Sequence, residues 1–529
     1  MNLTELFMER VTLSPRQIAL IASGARKARS LSFADLEAAS ANVAQCLQRC
    51  GLGKGDKILL LLPVSIELYV VLLAIFRLGL VAVFPSPSGG MTGVGSCCRR
   101  VKPKGLIGTA GALSLQLLST ELWRIPLKFS CGLPFPGATS LSMAAKKPSA
   151  VSLVDCDRDH PALITFTSGS SGVAKGTIRS HGLLIAQYQA LVDATQLKAG
   201  EIDLATLPVF VLANLAAGVT TLIADTDLRH PGKVNAKAVL KQIETFGPTR
   251  ATASPAFFAG LAKACLEKNV RLSSLNKIYT GGAPVFPDII DQLTTLAPAA
   301  DIVCLYGSTE AEPIALVRYS QLTTNDKAAI GAGAGLPAGY PVPQIDLRIL
   351  PDRWGQPIGP FSAESFASEI LPANACGEIV VGGDHVLAGY LDGLGDEESK
   401  FAVAGRIWHR TGDAGYLDEQ GRLWLVGKCV ARICDDRGEL YPLTVEAACR
   451  SFTEIRNVAM VSHRGRRLLL LESDADRQAD LAVIRDKLGW ACVDAVRTVP
   501  LIPLDSRHNA KIDYQALFKL LSKLHFDGA

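Results

Sequence analysis

Short apolar runs alternate with helix-like patterns along most of this chain, and that alternation restricts it to an α/β architecture. Runs at 57–62, 81–84, 104–108, 162–166, 220–224 and 277–280 read as strands. Between them, 34–50, 183–193, 234–246, 256–269 and 286–297 carry helical periodicity. Such a succession implies largely parallel sheets covered by helices. Ser32 and Asp35 form a capping-box pattern that opens the first helix. From 335 to 390 the pattern changes to short alternating runs broken by Pro and Gly, which predicts antiparallel structure. Another strand is expected at 421–426, and a last α/β segment from about 429 onward. With 529 residues, 48% of them apolar, the chain can build two or more cores.

One apolar run leads into Thr-Phe-Thr-Ser-Gly-Ser-Ser-Gly-Val-Ala-Lys-Gly at 165–176. Gly169, Gly172 and Gly176 let the backbone approach an anion without Cβ clashes. Successive N–H groups in such a loop can converge on phosphate oxygens. Thr167, Ser168, Ser170 and Ser171 add hydroxyls, and Lys175 adds a positive charge, a set suited to a triphosphate. The lysine precedes the last glycine, so this is not the Gly-x-x-x-x-Gly-Lys-[Ser/Thr] loop of P-loop enzymes. A flexible Ser/Gly linker would have no reason to follow a strand or to end in Lys-Gly.

Four further segments carry polar residues that chemistry could use. At 277–285 a β-run enters Gly281-Gly282-Ala283, whose exposed backbone can stack on a flat base, although most Gly-Gly turns are only turns. At 301–312 a buried strand delivers Tyr306, Gly307, Ser308, Thr309 and Glu310 at its carboxyl end, where open α/β sheets bind ligands. Tyr306 suits a purine, Thr309 a phosphate and Glu310 a Mg²⁺ ion, which prefers oxygen ligands. At 408–415 Asp413 sits in a glycine-bracketed turn. It can accept hydrogen bonds from both ribose hydroxyls or merely shape the turn. At 505–513 a single lysine, Lys511, lies among small polar residues and could meet charge developing at a phosphate.

Composition removes other classes. The formal net charge of +4 is small for this length, and no dense basic block points to nucleic acid. The 13 cysteines include no Cys-x-x-Cys pair, which argues against zinc and for reduced thiols in a cytoplasmic protein. The first residues lack the pattern of a signal peptide. The longest apolar run, 68–76, is too short for a transmembrane segment. The stretch 57–84 instead reads as strand, proline turn, buried helix and strand.

Taken together and in this order, these segments resemble the core motifs of the adenylate-forming superfamily: acyl-CoA synthetases, peptide-synthetase adenylation domains and luciferases. The resemblance runs from Ser32-Phe33 and Gly53-Lys54-Gly55-Asp56 to Lys511. It implies an α/β fold whose large N-terminal domain, 1–427, stacks mixed sheets with helices and a small β-barrel. A small, mobile α+β C-terminal domain, 428–529, follows. It implies that Thr167, Ser168, Gly169, Ser170, Ser171, Gly172 and Lys175 hold the β- and γ-phosphates of ATP. Gly281, Gly282, Ala283, Tyr306 and Gly307 would surround the adenine. Thr309 and Glu310 would bind phosphate and Mg²⁺, and Asp413 the ribose. Lys428 stands where relatives usually have a ribose-contacting arginine, and Lys511 would drive adenylation.

The implied activity is ATP-dependent conversion of a carboxylic acid, fatty or β-hydroxy fatty, to an acyl-adenylate with release of pyrophosphate. Transfer to CoA or a carrier protein would follow. Leu207-Pro208-Val209-Phe210, Ala213-Asn214-Leu215-Ala216-Ala217-Gly218 and the ending Arg507-His508-Asn509-Ala510-Lys511-Ile512 look like the olefin-biosynthesis β-lactone synthetases. In those the acid's own β-hydroxyl displaces AMP. A non-catalytic nucleotide-binding protein is the alternative of another class, and Lys175, Glu310, Asp413 and Lys511 together speak against it. Phe210, Val211, Asn214 and Gly282 are candidates to line the acyl pocket, and His181 is expected to make a local bond at a helix start. One departure stands out. After Gly427-Lys428 the hinge position is Val430, followed by Ala431-Arg432-Ile433-Cys434-Asp435-Asp436-Arg437-Gly438 instead of a basic glycine-containing loop. That puts the CoA-transfer step in doubt.

Overall fold

The first long helix begins where its sequence signature places it. Ser32 accepts the Asp35 N–H, Asp35 accepts the Ser32 N–H, and the helix Phe33–Arg49 follows. The computed structural model describes residues 1–23, 28–86, 89–144, 151–167, 174–450, 452, 455–473, 481–505 and 512–523. The chain is mixed α/β and divides into two units. The first comprises Met1–Arg229, Asn235–Ala253 and Asp384–Asp396; the second comprises His230–Val234, Ser254–Gly383 and Glu397–Ala529.

The first unit contains a seven-stranded sheet. Its order is Thr139–Leu141, Leu127–Cys131, Gly105–Gly108, Lys57–Leu61, Val81–Phe84, Pro161–Thr167 and Lys175–Ser180. All neighbours are parallel except the last pair. In a second group, Arg250–Ala253, Ile202–Ala205, Thr220–Ile223 and Ile18–Ala22 run parallel, and Arg29–Ser32 closes it antiparallel. The expected strand–helix–strand of 57–84 is present, with Ile66–Arg77 as its helix. Every residue of that helix except Glu67 is buried, as an all-round apolar helix requires. The helix Gly90–Val101 escapes a sequence reading because its glycines depress helix propensity. Its Val94, Cys97, Cys98 and Val101 nevertheless form one buried face at helical spacing.

Asn214 is not a pocket wall. It is fully buried, and its Nδ2 donates to Asp203 Oδ2 (2.8 Å) and Thr221 Oγ1 (3.1 Å). Phe210 and Val211 are likewise core residues. His181 is buried at the start of its helix, but its bond is not local: Nδ1 accepts the Leu3 N–H at 3.0 Å. Burial, then the neighbouring His160, pushes its pKa down to about 4. It serves as a neutral structural imidazole.

In the second unit, Lys277–Gly281 and Asp301–Tyr306 are parallel neighbours. The strands Ala315–Arg318, Leu336–Pro341, Leu423–Lys428, Arg406–Leu417, Gly377–Gly382 and Asp346–Leu350 continue in that order, each antiparallel to the last. The Pro/Gly-broken region therefore supplies antiparallel strands, with one unforeseen helix, Ala363–Glu369. Farther along, Ile455–His463, Arg466–Ser473 and Ala495–Val499 form a three-stranded sheet. Val458, Met460, Leu469 and Leu471 face one core, while Ala459, Val461, Leu468 and Leu470 face another, the period-two division of a strand covered on both sides. The helix Pro442–Cys449 contributes to the first core and Tyr514–Lys523 to the second.

Glu446 lies buried in that first helix. Its Oε1 accepts the Met460 N–H and the Tyr514 hydroxyl, both at 3.3 Å. Burial pushes its carboxyl up to about 7. A carboxyl whose pKa is raised on folding stabilises the fold fully below its unfolded value, 4.5, and loses that contribution as pH rises through about 7. E446Q should therefore match the wild type in acid and exceed it by on the order of 2–3 kcal/mol above neutrality. Denaturant titration between about pH 4 and 9 checks this; parallel pH profiles for the two proteins would contradict it.

Candidate active site

Two adjacent parallel strands end together and present most of the motif residues that the structure describes. Gly281 is opposite Leu305, so Gly281-Gly282-Ala283 and Tyr306-Gly307 leave the sheet at one edge. Both glycines are required. A Cβ on Gly281 would lie 2.3 Å from the Leu305 carbonyl oxygen, and Gly282 has φ +82° with open space before it. Beyond Gly307 the chain makes a tight turn. Ser308 donates its N–H to the Ala311 carbonyl (2.7 Å), and its Oγ accepts the Glu310 N–H (3.2 Å). Thr309 and Glu310 therefore sit half-buried at the tip of a fixed turn.

The Tyr306 hydroxyl donates to Asp413 Oδ2 at 2.9 Å. Burial, reinforced by the Asp413 charge, drives its phenol well above the ordinary tyrosine range, so it remains a donor. Asp413 and Lys428 are direct cross-strand partners on Arg406–Leu417 and Leu423–Lys428. Lys428 Nζ meets Asp413 Oδ1 at 2.5 Å. Burial alone would lower the Lys428 pKa; the Asp413 carboxylate overrides it, with Glu310 adding to the effect, and the pKa stands above its usual value. Lys428 still keeps 45% of its side chain exposed, so a ligand can reach it. Thr411 anchors the Asp413 backbone, its Oγ1 accepting the Asp413 N–H (3.1 Å) and donating to the Ile379 carbonyl (2.8 Å). A carboxylate offers about four lone-pair sites. Tyr306 and Lys428 use two, which leaves acceptors for a vicinal diol.

Among the described residues, then, Gly281, Gly282, Ala283, Tyr306, Gly307, Thr309, Glu310, Asp413 and Lys428 all belong to the second unit. Lys175 belongs to the first. It opens the strand Lys175–Ser180 opposite Thr167, its Nζ lies 5.4 Å from the Tyr390 ring centroid, and its methylenes run against Gly395. Ser168, Gly169, Ser170, Ser171 and Gly172 lie outside the described residues, as do Lys511 and the side chain of Thr167.

Sequence reasoning missed the supports around these groups. Arg100 donates to the carbonyls of Ala174 (2.8 Å) and Leu391 (2.9 Å), tying the residue before Lys175 to the 384–396 segment. Nothing in the local sequence of Arg99-Arg100 signals this. Asp413 lies within the strand Arg406–Leu417 and not in the turn that its flanking glycines suggest, and Thr411, two residues before it on that strand, carries no signal of its own in the sequence. No group of three or more His, Cys, Asp or Glu converges among the described residues. A Mg²⁺ ion needs only one or two carboxylates when phosphates complete its shell, and Glu310 can supply one.

The chain is similar to known proteins over most of its length. The AMP-binding enzyme family model matches residues 7–391. An olefin β-lactone synthetase of Stenotrophomonas maltophilia is 30% identical over 98% of this chain and 96% of its own length. A probable CoA ligase of Humulus lupulus is 27% identical over 82% of this chain and 76% of its own. The fold matches that of ATP-bound MatB from Rhodopseudomonas palustris with a TM-score of 0.79 at 20% identity, covering 99% of each chain.

Asp413→Asn keeps the shape of the side chain and removes the charge that holds Lys428. It should weaken ATP binding by about 2 kcal/mol, roughly thirtyfold, with an unchanged circular dichroism spectrum. Calorimetry measures this, and wild-type affinity in the variant would remove Asp413 from the site.

Proposed function

The chain belongs to the AMP-binding enzyme family, an acid–AMP ligase by that membership, and on this premise we propose that it converts a β-hydroxylated aliphatic acid into a β-lactone through an acyl-adenylate. In the first step a carboxylate oxygen attacks the α-phosphorus of ATP, the bond to the β-phosphate oxygen breaks, and pyrophosphate leaves. In the second, the acid's own β-hydroxyl oxygen bonds to the acyl carbon, AMP departs, and the hydroxyl proton passes to solvent. Positioning and electrostatics carry most of a phosphoryl step.

The observation that carries the first step is the bonded cluster Tyr306–Asp413–Lys428 at the strand ends. In this reading Asp413 accepts the ribose hydroxyls, Gly281-Gly282-Ala283 and Tyr306 hold the adenine, and Thr309 binds phosphate. The loop Thr167 to Lys175 grips the departing pyrophosphate. Mg²⁺, when bound, would be held by Glu310 and would offset phosphate charge. Residues 1–427 act as the nucleotide- and acid-binding domain, 428–529 as the domain that supplies Lys511, and the enzyme is cytoplasmic.

Two observations favour the internal hydroxyl as acceptor. Similarity to the β-lactone synthetase extends over 98% of this chain, against 82% for the CoA ligase. CoA is polyanionic and calls for available cations, yet both arginines of the 431–438 segment are held by carboxylates. Arg437 pairs with Asp435 and Asp494, each at 2.8 Å. Arg432 pairs with Asp352 (3.5 Å) and Glu439 (3.2 Å). The second reading, transfer to CoA or a carrier thiol, rests on the CoA-ligase relatives.

Lys511→Ala should reduce acid-dependent ATP–pyrophosphate exchange at least a hundredfold, equivalent to about 3 kcal/mol, and leave ATP affinity nearly intact. Persistent exchange would reject the lysine. Mass spectrometry of reactions containing ATP and β-hydroxy acids, with and without CoA, decides the acceptor. The expected product is the acid less one water, formed without CoA and matched by AMP. A product that appears only as a CoA thioester would reverse the assignment.

A further inference from the structure

We propose that the outer edge of the seven-stranded sheet in the first unit docks on anionic lipid bilayers. Leu118, Leu133 and Leu117 are 77%, 75% and 71% exposed, more than any other large apolar side chains among the described residues, and Trp123 is 62% exposed. All four fall within residues 117–133, the stretch that brackets the strand Leu127–Cys131, neighbour of the edge strand Thr139–Leu141. Isolated exposed leucines are unremarkable, but a group of them marks an interaction surface.

These tips are held outward by buried neighbours. The 3₁₀ turn Ser114–Leu118 follows buried Leu113 and buries Gln116, which turns Leu117 and Leu118 to solvent. The short helix Thr120–Trp123 buries Leu122, and Ser119 Oγ caps it by accepting the Leu122 N–H at 3.3 Å. Lys128 braces Trp123: its Nζ donates to the carbonyls of Trp123 (3.0 Å) and Ile125 (2.8 Å) and lies 5.8 Å from the indole centroid.

Charge selects the occupant. Residues 99–133 contain six basic side chains (Arg99, Arg100, Lys102, Lys104, Arg124, Lys128) and one acidic, Glu121, a balance of +5 within a chain whose total is +4. Some of this is spent internally: Arg99 pairs with Glu121, Lys104 with Asp56 and Arg100 with Asp392. Lys102 and Arg124 remain exposed, and Lys128 bonds only carbonyls among the partners given above. Exposed leucines and basic side chains within one segment, with a tryptophan of the type that settles at a membrane interface, match the headgroup layer of an anionic bilayer. No helix among the described residues is long and apolar enough to cross a membrane, so the contact is peripheral. This inference does not depend on the proposed reaction, although aliphatic acids partition into the same bilayers.

The test is co-sedimentation of the full chain with vesicles of phosphatidylcholine alone or with about one third phosphatidylglycerol, at about 0.1 M and 0.5 M salt. The wild type should bind the anionic vesicles, at least tenfold more weakly at high salt, and bind phosphatidylcholine poorly. Leu117→Ser with Leu118→Ser should lose at least tenfold in lipid affinity with an unchanged melting temperature, because neither side chain is buried. Arg124→Glu should lose affinity for the anionic vesicles only. Failure of the wild type to sediment with either vesicle would overturn the proposal, and so would equal binding by the double-serine variant. A change of oligomeric mass in that variant without vesicle binding by the wild type would assign the patch to a protein interface instead.

Discussion

Asp413 is gripped by the Tyr306 hydroxyl on one oxygen and the Lys428 ammonium on the other, and the site around it follows from that arrangement. Tyr306 ends a strand with a parallel neighbour, whereas Asp413 and Lys428 face each other across two antiparallel strands. The carboxylate thus joins the two kinds of β-structure in the second unit. A half-buried phenol and a partly exposed lysine both gain from a partner, since an unsatisfied buried polar group costs about 1–3 kcal/mol and an unpaired charge more. Meeting both needs at one carboxylate fixes its orientation before any ligand arrives. A preoriented acceptor loses little freedom on binding, which is the physical advantage of preorganisation.

The order of the motifs was legible because each depends on local chemistry. Gly281 and Gly282 announce a close backbone approach and a positive φ, and both are found. The capping box at Ser32 and the buried helix after Pro63 also follow from short-range rules. Contacts between distant segments were not legible. Nothing near Lys428 says that it will pair with Asp413, nor does Arg100 show that it will hold the carbonyl before Lys175. His181 illustrates the difference: a helix-start position suggests a neighbouring partner, yet the imidazole accepts from Leu3. Asn214 sits in a motif-like stretch that invites a role in the acyl pocket, but the buried Asp203 claims its amide. Gly90–Val101 shows tertiary burial overriding propensity.

The segment after the hinge position carries a different kind of information. Val430, the hinge position that the resemblance implies, is 67% exposed. The following strands, Ile433–Asp435 and Gly438–Leu440, enclose Asp435, which is shared by Arg437 and Arg467. Hydrogen bonds from those two guanidiniums, Arg467 foremost, hold the Asp435 carboxyl far below the usual carboxylate range. The Arg432 and Arg437 guanidiniums are thus committed to neighbouring carboxylates, which in the proposed reaction favours an acceptor other than a polyanion. An acceptor carried by the acid itself needs no such cations.

An acyl-adenylate forms only if a carboxylate oxygen attacks the α-phosphorus of ATP. A β-hydroxy acid labelled with ¹⁸O in its carboxyl group tests this directly. After one turnover, mass spectrometry should find a single ¹⁸O in AMP and none in pyrophosphate. Label in the released phosphate or pyrophosphate, or product formed with unlabelled AMP, would contradict an acyl-adenylate.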